Sequence, residues 1–229
     1  MTTTKPVHFP LNAFPVVNNC LQVGGQPLTR LAERVGKTPF FAYDRALLTS
    51  RVRHLRENLP PEIHLHYAMK ANPMPAIVQH MASLVDGLDV ASVGEMQTAL
   101  DTPTLPENIS FAGPGKTESE LDSAIAAGIV INLESEREME NAARIGLSLG
   151  YQPKVAVRVN PDFELKSSGM KMGGGPKQFG VDAERVPAML KRMAELPLDF
   201  IGFHIFGGSQ NLKAESIMEA QEKTLELAI

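Results

Sequence analysis

The chain has 229 residues, of which 43% are hydrophobic and 21% charged, and its formal net charge is -4. This composition indicates a globular protein with one substantial core, and the negative charge argues against nucleic acid or an anionic membrane as a partner. The single cysteine, Cys20, cannot form an internal disulfide, and no apolar run approaches the ~18 residues of a membrane span, so we expect a cytoplasmic protein.

Residues 1–45 differ from the rest of the chain. They are rich in Pro and Asn at first, and apolar positions at helical spacing then predict a short amphipathic helix over 28–35. The run 39–44 reads as a strand that leads into a helix over 45–58. We therefore expect an N-terminal segment, 1–45, followed by a domain that spans 46–229.

From residue 60 onward, short apolar runs alternate with helix-patterned segments. The predicted strands are 63–69, 87–91, 109–112, 129–133, 154–160 and 200–206. The predicted helices are 75–84, 94–100, 117–127, 134–149 and 183–196, and Thr117 with Glu120 indicates a capping box at the third of them. Regular alternation of this kind predicts βαβ units and a parallel sheet, hence the α/β class.

A (β/α)8 barrel of the TIM type fits this pattern better than an open doubly wound sheet, because no Gly-x-Gly-x-x-Gly turn follows the first strand. Closure of such a barrel requires eight strands, and six are predicted here. The chain stops at Ile229 within a helix-patterned run, 212–229. We therefore expect the N-terminal portion of a longer protein with an incomplete barrel.

Lys70 is the first candidate for chemistry. It follows an apolar, strand-like run and precedes the Asn72-Pro73 break, so we expect it at the end of a strand in a partly desolvated place. Desolvation favours the neutral amine, which can form a Schiff base with an aldehyde cofactor. The alternative is an ordinary surface lysine at the junction between a strand and a loop.

Polar residues also follow the other predicted strands, and in a parallel barrel the functional face lies at the carboxyl ends of the strands. The candidates are Asp89, Glu95, Arg158, His204, and the run Gly207-Gly208-Ser209. Each has an alternative reading. The carboxylates could be helix N-terminal charges, the arginine could pair with a carboxylate inside the barrel, the histidine could belong to the core, and the glycine-serine run could be a plain turn.

Two further features carry less information. Glycines 173–175 are more typical of a mobile loop than of a binding site. The six histidines are scattered, and none has the spacing of metal ligands, so no metal site is expected.

Five strings occur in an order that resembles the fold-type III pyridoxal-phosphate decarboxylases, the family of diaminopimelate, ornithine and arginine decarboxylases. The strings are YAMKANP, LDVASVGE, RVNP, KQFG and GFHIFGGSQ, and the resemblance covers roughly residues 38–211. It implies a barrel of the alanine racemase-like kind, the cofactor pyridoxal 5'-phosphate, and decarboxylation of a small-molecule amino acid.

The resemblance also implies roles for residues. Lys70 would carry the cofactor as a Schiff base, with Asp89, Ser92 and Glu95 near it. Arg158 would lie on the side of the phenolic oxygen, and Gly208 with Ser209 would contact the phosphate. Substrate amine would displace Lys70 from the cofactor, and the pyridinium would take the electrons released with carbon dioxide.

Two positions depart from the family pattern. Diaminopimelate decarboxylases commonly carry a second histidine three residues before the motif serine, where this chain has Phe206, while His204 matches the earlier histidine. An aromatic ring can still stack on the cofactor but cannot share a proton. Gln178 stands where the family usually has lysine. Both departures favour a related decarboxylase, including a branch associated with exosortase and exopolysaccharide systems.

The remaining parts of such an enzyme are expected outside this chain. The resemblance implies a glutamate for the pyridine nitrogen, a second phosphate loop, and a C-terminal β domain, to which residues 1–45 would belong and which would donate a cysteine-aspartate pair across a homodimer. Residues 1–229 alone are therefore expected to be inactive. An amino-acid racemase and a non-catalytic pyridoxal-phosphate-binding protein remain as alternatives.

Overall fold

A computed structural model describes residues 12–163, 170–171, 177–209 and 213–228. The chain divides into two compact units, Met1–Ile63 and His64–Ile229. The division falls later than the predicted boundary at residue 45, so the helix that follows this boundary belongs to the first unit. Within the described part of the chain, no helix has the length and apolar character needed to cross a bilayer.

The first unit begins with a small antiparallel meander that the sequence did not predict. Its strands are β1 (Val16–Val17), β2 (Cys20–Val23) and β3 (Gln26–Pro27), and they are followed by the two predicted helices, α1 (Leu28–Val35) and α2 (Arg45–Asn58). The strand predicted over 39–44 is wrong. Phe41 is 89% exposed and pairs with no strand, and Asp44 instead caps α2 by accepting the Ala46 amide at 2.8 Å.

The strands of the second unit include the six that the sequence predicts. They are β4 (His66–Ala68), β5 (Gly87–Val90), β6 (Ile109–Phe111), β7 (Val130–Leu133), β8 (Lys154–Asn160), β9 (Met170–Lys171), β10 (Val181–Asp182), β11 (Asp199–Ile205) and β12 (Gly208–Ser209). The six predicted strands are present in the predicted order, as β4 to β8 and β11, and three short strands, β9, β10 and β12, were not predicted. Consecutive strands from β4 to β8 pair in parallel, and β11 pairs in parallel with β8. Among the described residues, β4 and β11 each pair on one side only, so the sheet is an open arc of a barrel.

Helices connect these strands, as the alternation predicted. They are α3 (Pro75–Ala82), α4 (Val93–Leu100), α5 (Glu118–Ala127), α6 (Glu136–Leu149), α7 (Val186–Met193) and α8 (Ala214–Ala228). Side chains of Ser92, Thr117 and Ser135 cap α4, α5 and α6, and the capping box at Thr117 is confirmed. The last predicted connecting helix is shorter than expected, because a 3-10 turn over Ala183–Arg185 precedes α7.

The two faces of the sheet differ in the way that a barrel requires. On the outer face, apolar side chains at alternate positions pack under the helices in one continuous core that includes Leu88, Ile109, Ile131, Val155 and Val157. On the inner face, most of the intervening positions carry small or polar residues, such as Asp89, Ser110, Asn132 and Ala156, with Val130 as an apolar exception. The candidate site therefore lies on the inner face and at the carboxyl ends of the strands.

Candidate active site

Lys70 lies in a single 3-10 turn, Met69–Ala71, immediately after β4. The turn is held by local bonds: the Tyr67 hydroxyl donates to the Asn72 carbonyl at 3.0 Å, and the Asn72 side chain accepts the Met74 amide at 3.2 Å. Met69 is fully buried and anchors the turn in the core. The neighbouring Lys70 side chain is exposed, so the expectation of a partly desolvated lysine is wrong in this structure.

The inner face of the sheet lines an open cavity of about 880 Å³, and Lys70 stands at its rim. Small residues, among them Ala68, Ala156 and Gly202, leave room where a TIM barrel usually has bulky branched side chains. Polar and aromatic residues complete the lining, and these include His66, Asp89, Ser110, Asn132, His204 and Phe206. The volume is that of a site for a small molecule or cofactor.

Asp89 lies inside the cavity and is held by two neighbouring strands. Its Oδ1 accepts a hydrogen bond from the Ser110 hydroxyl at 2.7 Å and lies 3.1 Å from His66 Nδ1. The Asp89 contact raises the pKa of His66. Burial acts to raise the pKa of Asp89, but the hydrogen bonds with His66 and Ser110 outweigh it and the pKa is lowered. The contact therefore favours the charged form of both side chains.

Close packing brings His66 into this position. A Cβ atom at Gly87 would collide with the His66 ring and with the Asn108 carbonyl, so glycine is required beside the imidazole. The contact of His66 with Asp89 is not foreseen from the sequence, where His66 has no role beyond its exclusion as a metal ligand. Among the described residues, no group of His, Cys, Asp or Glu is arranged to hold a metal ion.

Arg158 is buried and is paired with a carboxylate. Such a pair inside the barrel is the alternative to a role in the site that the sequence left open for this arginine. Its Nη1 lies 2.8 Å from Glu134 Oε1. Two aromatic rings flank its guanidinium, with the centroids of Phe179 and Phe206 at 4.9 and 5.9 Å from Cζ. The Phe206 ring also lies 5.1 Å from Lys70 Nζ. Phe206 is thus placed between the Lys70 ammonium and the Arg158 guanidinium.

His204 faces the cavity from β11 and is half-buried. Burial lowers its pKa, and the nearby charge of Arg158 lowers it further, so the imidazole is neutral near pH 7. Its Nδ1 atom is buried without a hydrogen-bond partner among the residues that are described. A buried nitrogen of this kind is a suitable partner for a polar group of a bound molecule.

Ser92 and Glu95 serve the start of α4. The Ser92 hydroxyl accepts the Glu95 amide at 3.3 Å, and Glu95 Oε2 accepts the Ala91 amide at 2.8 Å. Neither residue lines the cavity. The structural alternative for Glu95, a carboxylate at a helix N-terminus, describes its position here.

The glycine-serine run is partly described. Gly208, with φ of 150°, pairs with Lys171, and Ser209 pairs with Met170, in the short antiparallel ladder of β9 and β12. The second strand of this ladder, β12, begins three residues after β11 ends. The Ser209 side chain and glycines 173–175 lie outside the described residues, so their predicted roles stay predictions.

Three buried charged residues near the site were missed by the sequence analysis. They are Lys116, Glu134 and Glu138, and they connect the ends of β6, β7 and β8. A signal for Glu134 existed, since it directly follows β7 just as Lys70 follows β4.

Comparison with known proteins gives a consistent result. Residues 45–228 match the model of the family described as "Pyridoxal-dependent decarboxylase, pyridoxal binding domain". The L-glutamyl-[BtrI acyl-carrier protein] decarboxylase of Niallia circulans is 36% identical over 202 residues, which cover 87% of this chain and 47% of that protein. The diaminopimelate decarboxylase of Aquifex aeolicus is 34% identical over 210 residues, with coverage of 90% and 50%.

Solved structures show the same relationship. Diaminopimelate decarboxylase from Helicobacter pylori, complexed with L-lysine, superposes with a TM-score of 0.77 at 31% identity and covers 87% of this chain and 52% of its own. The enzyme from M. jannaschii, in co-complex with L-lysine, gives a TM-score of 0.81 at 26% identity, with coverage of 93% and 52%. The chain spans about half the length of the curated relatives it matches. By sequence and by fold, the chain belongs to the pyridoxal-dependent decarboxylases, to which it contributes the pyridoxal-binding domain.

Proposed function

We propose that this domain carries pyridoxal 5'-phosphate on Lys70 and serves the decarboxylation of an amino acid. The observation that carries the proposal is the position of Lys70, exposed directly after β4 at the rim of a cavity of about 880 Å³. A primary amine at the mouth of a cofactor-sized cavity can form a covalent bond with an aldehyde. Membership of the family supplies the identity of that aldehyde.

The described residues fit this cofactor. Phe206 offers a ring face beside Lys70, and His204 offers a buried nitrogen that has no partner among the described residues. Asp89, in the cavity lining, and Arg158, beside the Phe206 ring, provide groups of opposite charge. Ser209, with Gly207 and Gly208, is proposed to bind the phosphate, as the family resemblance implies. Pyridoxal phosphate, when bound, supplies an electron sink for the charge left as carbon dioxide departs.

The chain's own residues then have defined tasks. Lys70 would hold the cofactor through its exposed primary amine. His204 would bind a polar atom of the cofactor through the buried nitrogen that has no partner among the described residues, and the Phe206 ring would exclude water from one side of the site. The Arg158 guanidinium is paired with Glu134 and would hold electron-rich oxygen atoms of the bound molecule.

Carbon dioxide release tests the proposal most simply. The full-length gene product is loaded with pyridoxal phosphate and supplied with carboxyl-labelled meso-diaminopimelate, ornithine, arginine and lysine, and labelled gas is collected. Release from one of these substrates is expected. Chiral analysis of the recovered substrate detects the racemase alternative, and a loaded protein that changes none of the substrates supports the non-catalytic alternative.

A second substrate class is favoured by one observation. Phe206 stands where diaminopimelate decarboxylases commonly have histidine, and one similar protein is a decarboxylase of glutamate carried on an acyl-carrier protein. An amino acid tethered to a carrier is therefore the alternative to a free one. A glutamyl-carrier substrate belongs in the same assay, and gas release from it alone would select this alternative. The homodimer, the cytoplasmic location, the β-domain role of residues 1–45 and the exosortase association stay predictions.

A further inference from the structure

Glu134 has no assigned role in the proposed function, yet its carboxylate accepts hydrogen bonds from three segments around the site. We propose that Glu134 is a positioning residue: it fixes the Arg158 guanidinium between Phe179 and Phe206, and through Phe206 it sets the surroundings of Lys70. This inference rests on the proposed function, because it assigns a supporting part within the same site.

The Glu134 carboxylate is fixed by three donors. Its side chain is 2% exposed. Oε1 accepts from Arg158 Nη1 at 2.8 Å and from the Gly113 amide at 2.6 Å, and Oε2 accepts from the Gly180 amide at 3.1 Å. These donors come from the loop after β6, from β8 and from the turn before β10. One carboxylate therefore joins three segments of the chain.

The Gly180 contact depends on glycine itself. Gly180 has φ of +75°, and a Cβ atom there would lie 2.9 Å from the Arg158 carbonyl oxygen. Only a residue without a side chain can bring its amide this close to both β8 and Glu134. The backbone before β10 is thus shaped to reach the carboxylate.

From Glu134 the contacts lead outward to the rim. Glu134 pairs with Arg158, whose side chain is 10% exposed, and the planar guanidinium packs against Phe179 and Phe206. The Phe206 ring in turn faces Lys70 Nζ at 5.1 Å. A shift of the guanidinium would therefore move the ring that faces the reactive amine.

A second ion pair, between Lys116 and Glu138, holds the backbone of Glu134. The Glu134 amide donates to Glu138 Oε2 at 2.7 Å, and Glu138 Oε1 lies 2.7 Å from Lys116 Nζ. Both the backbone and the side chain of Glu134 are consequently fixed. This double fixation is what a positioning residue requires, because a group that moves cannot hold another group in place.

The test compares Glu134→Asp, Glu134→Gln and the matched control Glu140→Gln in the full-length gene product. Glu140 lies on α6, and its carboxylate forms an exposed ion pair with Arg192 at 2.7 Å, so the control removes a charge of the same kind outside the site. For each protein we would measure thermal unfolding, the visible absorbance band of bound pyridoxal phosphate, the cofactor dissociation constant, and kcat and KM separately.

We expect Glu134→Asp to fold, because it keeps the charge that compensates Arg158. Its shorter side chain retracts the carboxylate, so the absorbance band should shift and kcat should fall by about 100-fold, as for a misplacement near 1 Å. Glu134→Gln should show a larger loss with a lower melting temperature. The Glu140→Gln control should match the wild type in absorbance, cofactor affinity and kcat.

Wild-type absorbance, affinity and kcat in a folded Glu134→Asp protein would overturn the inference. Failure of Glu134→Asp to fold would also overturn it, since Glu134 would then determine stability rather than position. The proposed function is tested separately in the same experiment: if wild-type protein does not attach the cofactor at Lys70, the proposed function fails whatever the Glu134 variants do.

Discussion

Two lysines follow strands of the same sheet, and their surroundings differ completely. Lys116 follows β6, and its side chain is 1% exposed. Its ammonium group donates to the carbonyls of Gly113 and Asn132 at 2.6 and 3.0 Å and pairs with Glu138 at 2.7 Å. Lys70 follows β4, is exposed at the rim of the cavity, and forms an ion pair with none of the described side chains.

The difference shows that burial does not by itself mark a reactive lysine. An ammonium group has three hydrogens, and all three of Lys116 are directed at protein oxygens, so its nitrogen has no access to a reaction partner. Asp89 lines the same cavity as Lys70, but its carboxylate is held by His66 and Ser110. Lys70 is therefore accessible to a bound molecule, while Lys116 is fixed by its contacts with Gly113, Asn132 and Glu138.

The largest expected effect comes from removal of the reactive lysine. Lys70→Ala should abolish covalent attachment of pyridoxal phosphate and lower the rate of decarboxylation by roughly 10³-fold or more, since the attachment point is lost. The melting temperature of the protein without cofactor should stay close to that of the wild type, because the Lys70 side chain is exposed. Absorbance spectra, carbon dioxide release and thermal unfolding measure the three quantities.

A control distinguishes this effect from the loss of any strand-end lysine. Lys154 begins β8, and its ammonium lies 3.3 Å from Glu107 in a partly exposed pair. Lys154→Ala should leave attachment at Lys70 and the decarboxylation rate unchanged. Equal loss of attachment in both variants would remove the distinction between Lys70 and other lysines.

Removal of the buried Lys116 side chain should lower the stability of the protein instead. Lys116→Met leaves the buried carboxylate of Glu138 without its partner, which typically costs about 3–5 kcal/mol of unfolding free energy. The fraction that remains folded should still attach pyridoxal phosphate at Lys70. Denaturant unfolding and borohydride labelling of the same sample test both statements, and unchanged stability would contradict the assigned role of Lys116.

The Lys116→Met effect should depend on pH. Burial raises the pKa of Glu138, and Lys116 works against that rise, so the variant should raise the pKa further. A carboxyl group whose pKa is higher in the folded state binds protons more tightly when folded. Its stabilising contribution is present below the unfolded pKa and is lost as pH rises through the folded pKa. The destabilisation by Lys116→Met should therefore be smaller at pH 5 than at pH 8.

The smallest expected effect concerns the pair of His66 and Asp89. The pKa of His66 is raised by Asp89, so the stabilisation by this pair is fully present below the ordinary histidine pKa and is lost as pH rises through the folded pKa. Because both side chains are partly exposed, solvent screening limits it to about 0.5–1 kcal/mol. The stability difference between the wild type and His66→Gln should shrink between pH 6 and pH 8 in denaturant titrations.

Ser110→Ala provides the matched control for His66→Gln. It removes the other hydrogen bond to Asp89 without removing a group that titrates between pH 6 and pH 8. Its stability difference from the wild type should stay level over this range. A trend equal to that of His66→Gln would place the pH dependence elsewhere in the cavity.

Most of the fold of the second unit could be predicted from the sequence. The outer positions of each strand are apolar and the helices carry clear caps, as at Thr117 and Ser92, so periodicity and capping specify the order of elements. The first unit could not be predicted as well. The strand predicted over 39–44 rested on aromatic residues, and Phe41 is exposed rather than paired.

The site was predicted only in part, for a physical reason. Strand ends revealed Lys70, Asp89, Arg158 and His204, because parallel strands bring their carboxyl ends together. Pairing between side chains that are distant in sequence leaves no local pattern, so the Glu134–Arg158 and His66–Asp89 pairs were not foreseen. Glu95 follows the same local pattern as Glu138: each accepts the amide of the residue before a serine cap, and this pattern belongs to helix starts.

Borohydride reduction followed by peptide mapping tests the central claim most directly. The full-length gene product is incubated with pyridoxal phosphate, reduced, digested and sequenced by mass spectrometry. The account predicts a phosphopyridoxyl group on Lys70 and none on Lys116, although both lysines follow strands of the same sheet. A folded protein that carries the label on another lysine, or carries no label, would contradict the account.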